Sequence, residues 1–583
     1  MGRSLNRTTW IALLAVLATV ILLRNLALDS PLMAGDEYAY FAAAQTFPDT
    51  AARYDRDPSL PRIYSPVFAA YGRTLALVSP RPELLMKALN TLCFALTALL
   101  FLNLVARLGG RSPSPPTVAV FLMLPMSAYS AYFMPETTYA LLFAVLTWLM
   151  LALLPANIAV GSALSGVVVG TMLLIKPHAL SLFLAVLATL AALAVAPRYI
   201  RRHRRTLLAG AALFAAATYI TVVGLNAALT HRLRLDPLLF VGDLYRGFLV
   251  QGSSLSSWLG RVRLLAGIFA GHLVVLVALL APVLALAGWR LRDIYLAQPD
   301  SALETRRLKS HFVLISLAAF AALFAIGMTT NFTGQISLIS AVERLRLHGR
   351  YYSFVFPICL TVYFVVAESA SPGSERWIRW GALAGCVAAA LLYYLQGKRI
   401  IYPFDYPEAY VFSAWHGETR EGPAVLVATY AGIVVSIAAY AVIVWRAGMA
   451  RFVYPALLLA LFALGNVGIT VWQRGVSAGS AMLRADGRAM KQIIAAGELD
   501  QGLVVGSEWN GPLANFMFNF GSSARVIVRP AGSVLSETDI PAGTQWVVLT
   551  DRYHSTFAGT ALVRTPRVTL IRVAKDSPDV ATQ

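Results

Sequence analysis

Apolar runs of about twenty residues, separated by short polar segments, recur along most of the chain, as bilayer-crossing helices require. They fall at roughly 9–28, 84–105, 116–133, 138–154, 158–175, 179–196, 206–228, 264–288, 312–328, 351–368, 380–396, 423–445 and 452–472, which makes about thirteen spans. The polar segments between them differ in charge. Arg3 with Arg7, Arg107 with Arg111, "PRYIRRHRR", Arg290 and Arg292 with "ETRRLK", Arg376 with Arg379, and Arg446 with Arg451 share one side if the spans alternate. The positive-inside rule makes that side cytoplasmic. The exoplasmic side then receives 29–83, the tips 133–138 and Lys176–His178, 229–263, 329–350, 397–422, and everything after 473. The first run has a basic start and no small-residue cleavage site after it, so it reads as a retained span.

Near Gln473 the pattern changes to that of a soluble unit. "AMLRADGRAMKQIIAAGEL" alternates as an amphipathic helix. "GLVVGSEW", "ARVIVRP", "QWVVLTD" and "RVTLIRVA" read as strands, with "GPLANFMFNF" as a helix between the first two. The expected organisation is a polytopic α-helical membrane domain, 1–472, followed by a small exoplasmic α/β domain, 473–583. No internal repeat is visible.

Composition agrees with lipid as the solvent. Of 583 residues, 58% are hydrophobic and 13% charged, with a mean hydropathy of +0.65, against about 25% charged in soluble domains. The net charge of +19 resides in the short clusters between runs, which argues against nucleic acid as a partner. Cys93, Cys359 and Cys386 lie singly inside apolar runs, without the paired spacing of a metal site or disulfide framework.

Four exoplasmic stretches carry the candidate chemistry. "GDEYAYF" places Asp36 and Glu37 among Tyr38, Tyr40 and Phe41 directly after the first span. Carboxylates at the membrane edge gain basicity from partial burial, and paired acids also suit a divalent cation; an incidental interfacial loop is the competing reading. "YFMPETTYALLF" holds Glu136 on a tight turn, either as a first-turn acid of the next helix or as a second acid of a shared cavity. "LLIKPHALSLF" presents Lys176 and His178; the lysine either snorkels to headgroups or contacts a phosphate. "ISAVERLRLHGRYYSFVFP" brings Arg344, Arg346, His348 and Arg350 to the exoplasmic side, against the charge trend. Guanidinium matches phosphate through paired hydrogen bonds, and aromatics such as Tyr351 are platforms for sugar rings.

In this order, the four stretches resemble the polyprenyl-phosphate-sugar-dependent membrane glycosyltransferases of the GT-C superfamily. That group includes protein O-mannosyltransferases, lipid A aminoarabinose transferases and arabinofuranosyltransferases. "GDEYAY" is similar to their DD or DE pair in the first outside loop, and "YFMPETTYALLF" to an aromatic-x-P/T-E-[ST] turn. "LLIKPH" resembles a lysine- or arginine-bearing tip, and "HGRYYSFVFP" an R-Y-x(4)-P start of a later helix. The likeness covers the first four hundred or so residues as ordered motifs; 49–73 matches no single subfamily, and the tail resembles no family.

The resemblance implies a hexosyl or pentosyl transferase of a bacterial cytoplasmic membrane. It would be fed by a polyprenyl-phosphate-linked sugar and would act on an envelope glycan, lipid or protein acceptor. Asp36 would be the general base of an inverting displacement, with Glu37 and Glu136 orienting the acceptor or a divalent cation (Mg²⁺ or Mn²⁺, held by Asp36 and Glu136). Arg350, Lys176, Arg346 and His348 would take the donor phosphate, and Tyr38, Tyr40, Tyr351 and His178 the sugar or acceptor. Asp55 and Asp57 read as a solvated loop. A transporter or flippase, or an O-antigen ligase or polymerase, is the alternative; a transporter would line a mid-depth path with charges and show repeated halves.

Overall fold

The computed structural model describes residues 6–32, 34–49, 65–201, 204–233, 235, 255–337, 343, 345–367, 372–395, 401–402, 404–412, 423–494, 496–507, 512–521, 524–550 and 553–574. Arg344, Asp55 and Asp57, named above, lie outside them. Seventeen α-helices follow from the apolar pattern and its punctuation among the described residues: α1 (Arg7–Leu26), α2 (Ala34–Thr46), α3 (Pro66–Val78), α4 (Pro82–Gly109), α5 (Pro115–Leu122), α6 (Glu136–Ala152), α7 (Ile158–Leu173), α8 (Leu180–Val195), α9 (Arg204–Thr230), α10 (Leu255–Leu296), α11 (Ala302–Ile336), α12 (Phe356–Ala367), α13 (Glu375–Leu395), α14 (Pro423–Trp445), α15 (Ala450–Gly479), α16 (Ala481–Ile493) and α17 (Pro512–Phe520). Prolines sit in the first turn of α3, α4 and α5, where a missing N–H costs nothing. Gly110 in a left-handed conformation (φ 75°) ends α4. Asn157 and Ser301 cap α7 and α11 by accepting from backbone N–H groups three residues on.

Eight of these helices (α1, α4, α8, α9, α10, α11, α13 and α15) are long and apolar enough to cross a membrane, and five shorter helices are apolar as well. The protein is a multi-pass membrane protein. Two expectations change. The run at 116–133 is not one span, because α5 stops at Leu122 and a 3₁₀ segment occupies Pro125–Ala131. Leu124, forced out of the helical region by the proline behind it, has ψ 119°. The region 29–83, read as an exoplasmic loop, contains α2 and α3 packed on each other, with Gly72 so close that a Cβ there would lie 2.7 Å from Ala44 Cβ. Neither helix reaches twenty residues, so neither registers as a span.

The tail carries a five-stranded sheet in the order β2-β1-β4-β7-β6, from β1 (Gly502–Gly506), β2 (Arg525–Val528), β4 (Trp546–Leu549), β6 (Gly559–Arg564) and β7 (Thr569–Val573). β3 (Val534–Leu535) and β5 (His554–Ser555) form a separate parallel pair. β1, β2 and β4 are parallel, and β7 and β6 run antiparallel at one edge. α17 crosses over between β1 and β2 and packs on α16, with Phe520 meeting Trp546 edge-on at 5.4 Å. The edge strand β6, almost wholly exposed, lacks the apolar face that marks the other strands and escapes a sequence reading.

Helix approach in the membrane part depends on small residues. In "GVVVG" of α7, a Cβ on Gly166 would lie 2.5 Å from Phe214 O, and one on Gly170 would lie 2.8 Å from Thr218 O, both on α9. Gly166→Leu is expected to cost about 1–3 kcal/mol by overpacking, read as a lowered thermal unfolding midpoint of the solubilised protein. Gly224→Ala, with open space around it, should leave the midpoint unchanged.

Candidate active site

α2, the start of α6, the tip after α7 and the segment before α12 each bring part of a charged cluster to one place. α2 begins with Ala34 and carries Asp36 and Glu37 in its first turn. Successive helical residues point about 100° apart, and the two acids go different ways. Glu37 is fully buried and its carboxylate accepts the backbone N–H of Leu32 at 2.7 Å and of Phe133 at 2.8 Å. It ties α2 to the turn before α6 and is not among the residues that line the cleft described below. Asp36 keeps 39% of its side chain exposed and accepts a hydrogen bond from Arg350 Nη2 at 2.5 Å.

Glu136 opens α6 on a turn held by Asn90 of α4. The Asn90 amide donates to Tyr132 O at 2.8 Å and to Met134 O at 3.2 Å, while its oxygen accepts Thr137 Oγ1–H at 2.9 Å. Glu136 is therefore a first-turn acid and a site group at once, for its carboxylate accepts Lys176 Nζ–H at 2.6 Å. Lys176 is buried, which rules out snorkelling. Its tip is fastened by Ser65, just before α3, whose hydroxyl donates to Ile175 O at 2.7 Å.

Arg350 stands at the centre. Besides Asp36, it donates to the Tyr351 hydroxyl at 2.8 Å, lies 4.8 Å from the Tyr351 ring, and approaches Asp405 Oδ1 to 3.7 Å. His178 stacks on the same ring at 4.2 Å, and Lys176 Nζ lies 5.1 Å from it. Together with Met126, Tyr129, Tyr139, Ser353 and Phe354, the residues Glu136, Lys176, His178, Arg350 and Tyr351 line a narrow cleft. Tyr40 is buried, and with Glu136 and Asp36 nearby its hydroxyl is pushed well above its usual range, so it stays protonated. Tyr38 is buried too and is absent from the cleft lining.

Arg346 and His348 form an adjoining cluster rather than part of the lining. Arg346 bonds to Asp405 and, at 2.7 Å, to Glu343. Its guanidinium lies 4.9 Å from the Tyr402 ring and 5.1 Å from the Phe404 ring. His348 Nε2 is 2.9 Å from Glu343 and Nδ1 is 3.8 Å from Asp405. Asp405 and Glu343 were not singled out in the sequence. The available signal was "IYPFDYPEAY", an aromatic-rich segment with two acids.

The electrostatics follow. Burial pushes the Asp36 carboxyl up, and Arg350, with Arg346 and Lys176 behind it, outweighs that and holds it below the usual carboxylate range. Burial acts likewise on Asp405, and Arg346, His348 and Arg350 hold it well below that range. Glu408, deeply buried with neither carboxyl oxygen hydrogen-bonded among the described residues, is pushed by burial up to about 8. As for a divalent cation, Asp36 and Glu136 are each engaged by a cationic side chain. Among the described residues no group of three or more His, Cys, Asp or Glu is placed to hold a metal ion.

No protein-family model and no curated protein sequence matches the chain. Two crystal structures of ArnT from Cupriavidus metallidurans are similar to it. The structure bound to undecaprenyl phosphate aligns with a TM-score of 0.46 at 12% identity, over 97% of this chain and 98% of that one. The apo structure aligns with a TM-score of 0.45 at 14% identity over the same shares.

Asp405, itself fully buried, is the counter-charge shared by the buried Arg350 and the half-buried Arg346, and removing one partner of a buried ion network costs about 3–5 kcal/mol. Asp405→Ala should lower the unfolding midpoint accordingly, with Asp405→Asn milder. Because the folded pKa is depressed, this stabilisation is complete above about pH 4 and is lost as pH falls towards the folded value. The stability gap between wild type and Asp405→Asn should therefore narrow on acidification.

Proposed function

We propose that the protein is a glycosyltransferase that moves a sugar from a polyprenyl-phosphate donor to an acceptor hydroxyl at the exoplasmic face of a bacterial cytoplasmic membrane. The observation that carries this reading is the partly exposed Asp36, held by the buried Arg350 at a cleft that also presents Lys176, Glu136, His178 and Tyr351. The ordered GT-C-like motifs supply the class of donor. The basic clusters between spans support the orientation. A transport path would distribute its charges at mid-depth, whereas these gather where helices end.

In this reading the acceptor oxygen attacks the anomeric carbon as the bond from that carbon to the phosphate oxygen breaks. The acceptor proton passes to Asp36, and the polyprenyl phosphate leaves with one more negative charge than it carried as a diester. Arg350 and Lys176 stabilise that added charge, and pre-set groups of this kind are worth about 10²–10³ in rate each. A carboxylate paired with arginine is a weak base. Donor binding supplies the remedy: the phosphate competes for the Arg350 guanidinium, and Asp36, relieved of its partner in a desolvated cleft, gains basicity. Tyr351 and His178, stacked face to face, offer a flat surface for a sugar ring. Glu136 holds Lys176 in place and opposes the downward push of burial on its ammonium.

Asp36→Asn should lower transfer from a defined polyprenyl-phosphate sugar by about 10²–10⁴, with unchanged expression and unfolding midpoint. Near-normal transfer would sink the assignment of the base. The acid limb of kcat/KM, which reports the free enzyme, should lie below about pH 4 in wild type. In Arg350→Met burial acts on Asp36 without its counter-charge, so the limb should move to higher pH. A limb that stays in place would remove Asp36 from the proton transfer.

A further inference from the structure

α2 has only 13 residues, yet it must hold Asp36 against Arg350 to within hydrogen-bond distance. Part of the restraint is internal to the membrane domain, through Glu37. The rest comes from the tail, at two points on either side of Asp36. Five residues after it, Phe41 stacks on Phe518 of α17, with centroids 4.3 Å apart and planes 24° from parallel. The opposite side of this contact is closed by Phe133, edge-on to Phe41 at 5.4 Å. Seven residues before Asp36, the backbone N–H of Asp29 donates to Ser477 Oγ at 3.1 Å, and its carboxylate lies 3.5 Å from Arg484 Nη2. Arg484 sits on α16, is almost completely buried, and also bonds to Ser477 O. α17 therefore has two working faces. Phe520 turns to the sheet and Trp546, while Phe518 turns to α2.

We infer that the C-terminal domain is a positioning element of the active site, clamping the segment from Asp29 to Phe41 and setting the place of Asp36 through the Phe518–Phe41 stack. Phe518 touches no reacting atom; it acts through α2. The catalytic consequence rests on the function proposed above, whereas the mechanical one does not. A displacement of about 1 Å at a reacting group can cost on the order of a hundredfold in rate. A loosened stack should thus affect turnover more than donor binding, since Lys176 and Arg350 are anchored elsewhere.

The test uses the full-length protein in detergent or nanodiscs, with hydrogen exchange of the peptide covering 34–46 measured beside transfer kinetics. In Phe518→Ala, exchange over 34–46 should rise while β1 and β4 keep their protection. The kcat should fall by about ten- to a hundredfold with donor KM little changed, and Phe518→Tyr, which keeps the ring, should restore both. Unchanged exchange over 34–46, or protection lost equally through the tail sheet, would overturn the clamp. Asp29→Asn tests the other anchor should Phe518→Ala fold poorly, and the same rise in exchange is expected. Asp36→Asn run in parallel separates the two readings. Full activity of that variant with loosened α2 in Phe518→Ala would retain the clamp and reject the base; an inactive Asp36→Asn with undisturbed α2 would do the reverse.

Discussion

A guanidinium with 5% of its side chain exposed is tolerable at the end of a helix bundle only among anions and π-faces. Arg350 has Asp36 on one side, Asp405 on another, and the hydroxyl and ring of Tyr351 beside it. These partners come from chain positions near 36, 350 and 405. One buried charge thereby draws together α2, the approach to α12 and the segment before α14. Asp405 then recruits Arg346, and Arg346 recruits Glu343. The cluster is held by mutual compensation: Asp405 serves both arginines, while Glu343 gives Arg346 and Asp36 gives Arg350 a second counter-charge.

The acidic pair shows how one local rule assigns two jobs. Side by side in sequence, Asp36 and Glu37 diverge in space because consecutive helical positions do not share a face. Glu37 is spent on two backbone N–H groups and becomes a rivet between α2 and the turn before α6. Asn90 does the same for the other side of that turn with three hydrogen bonds. Buried polar groups satisfied this fully make a rigid frame, and Asp36 and Glu136 project from that frame.

Much of this was legible in the residues, and the failures have physical causes. Asp36, Glu136, Lys176, His178, Arg350 and Tyr351 were each conspicuous as charged or aromatic residues at span ends, and the structure gathers them at one cleft. Asp405 was not conspicuous, because an acid in a connecting loop is ordinary until an arginine some sixty residues earlier is found beside it. The inward turn of Glu37 needed the phase of α2, and α2, with 13 residues, is too short to stand out as a bilayer-length run. α5 and the 3₁₀ segment after Leu124 are both apolar and together have the length of one span. Arg346 and His348 look from sequence like the same basic patch as Arg350; only the positions of Glu343 and Asp405 divert them to a supporting cluster. In the tail, strands with a buried face were visible and the exposed edge β6 was not.

The pairing of every cation in the cleft has a consequence for how the proposed reaction gains rate. A phosphodiester carries a single negative charge and must compete with Asp36 for Arg350, so ground-state binding from this contact is modest. As the glycosidic bond breaks, the phosphate gains charge while Asp36, taking the acceptor proton, loses its own. The guanidinium's preference then swings wholly to the leaving group. Stabilisation thus grows along the reaction coordinate instead of being used at binding, which is the condition for an interaction to raise kcat. The ion pair between Asp36 and Arg350 ties proton removal and leaving-group stabilisation to one another, and for that coupling the position of α2 matters as much as the identity of the residue it carries.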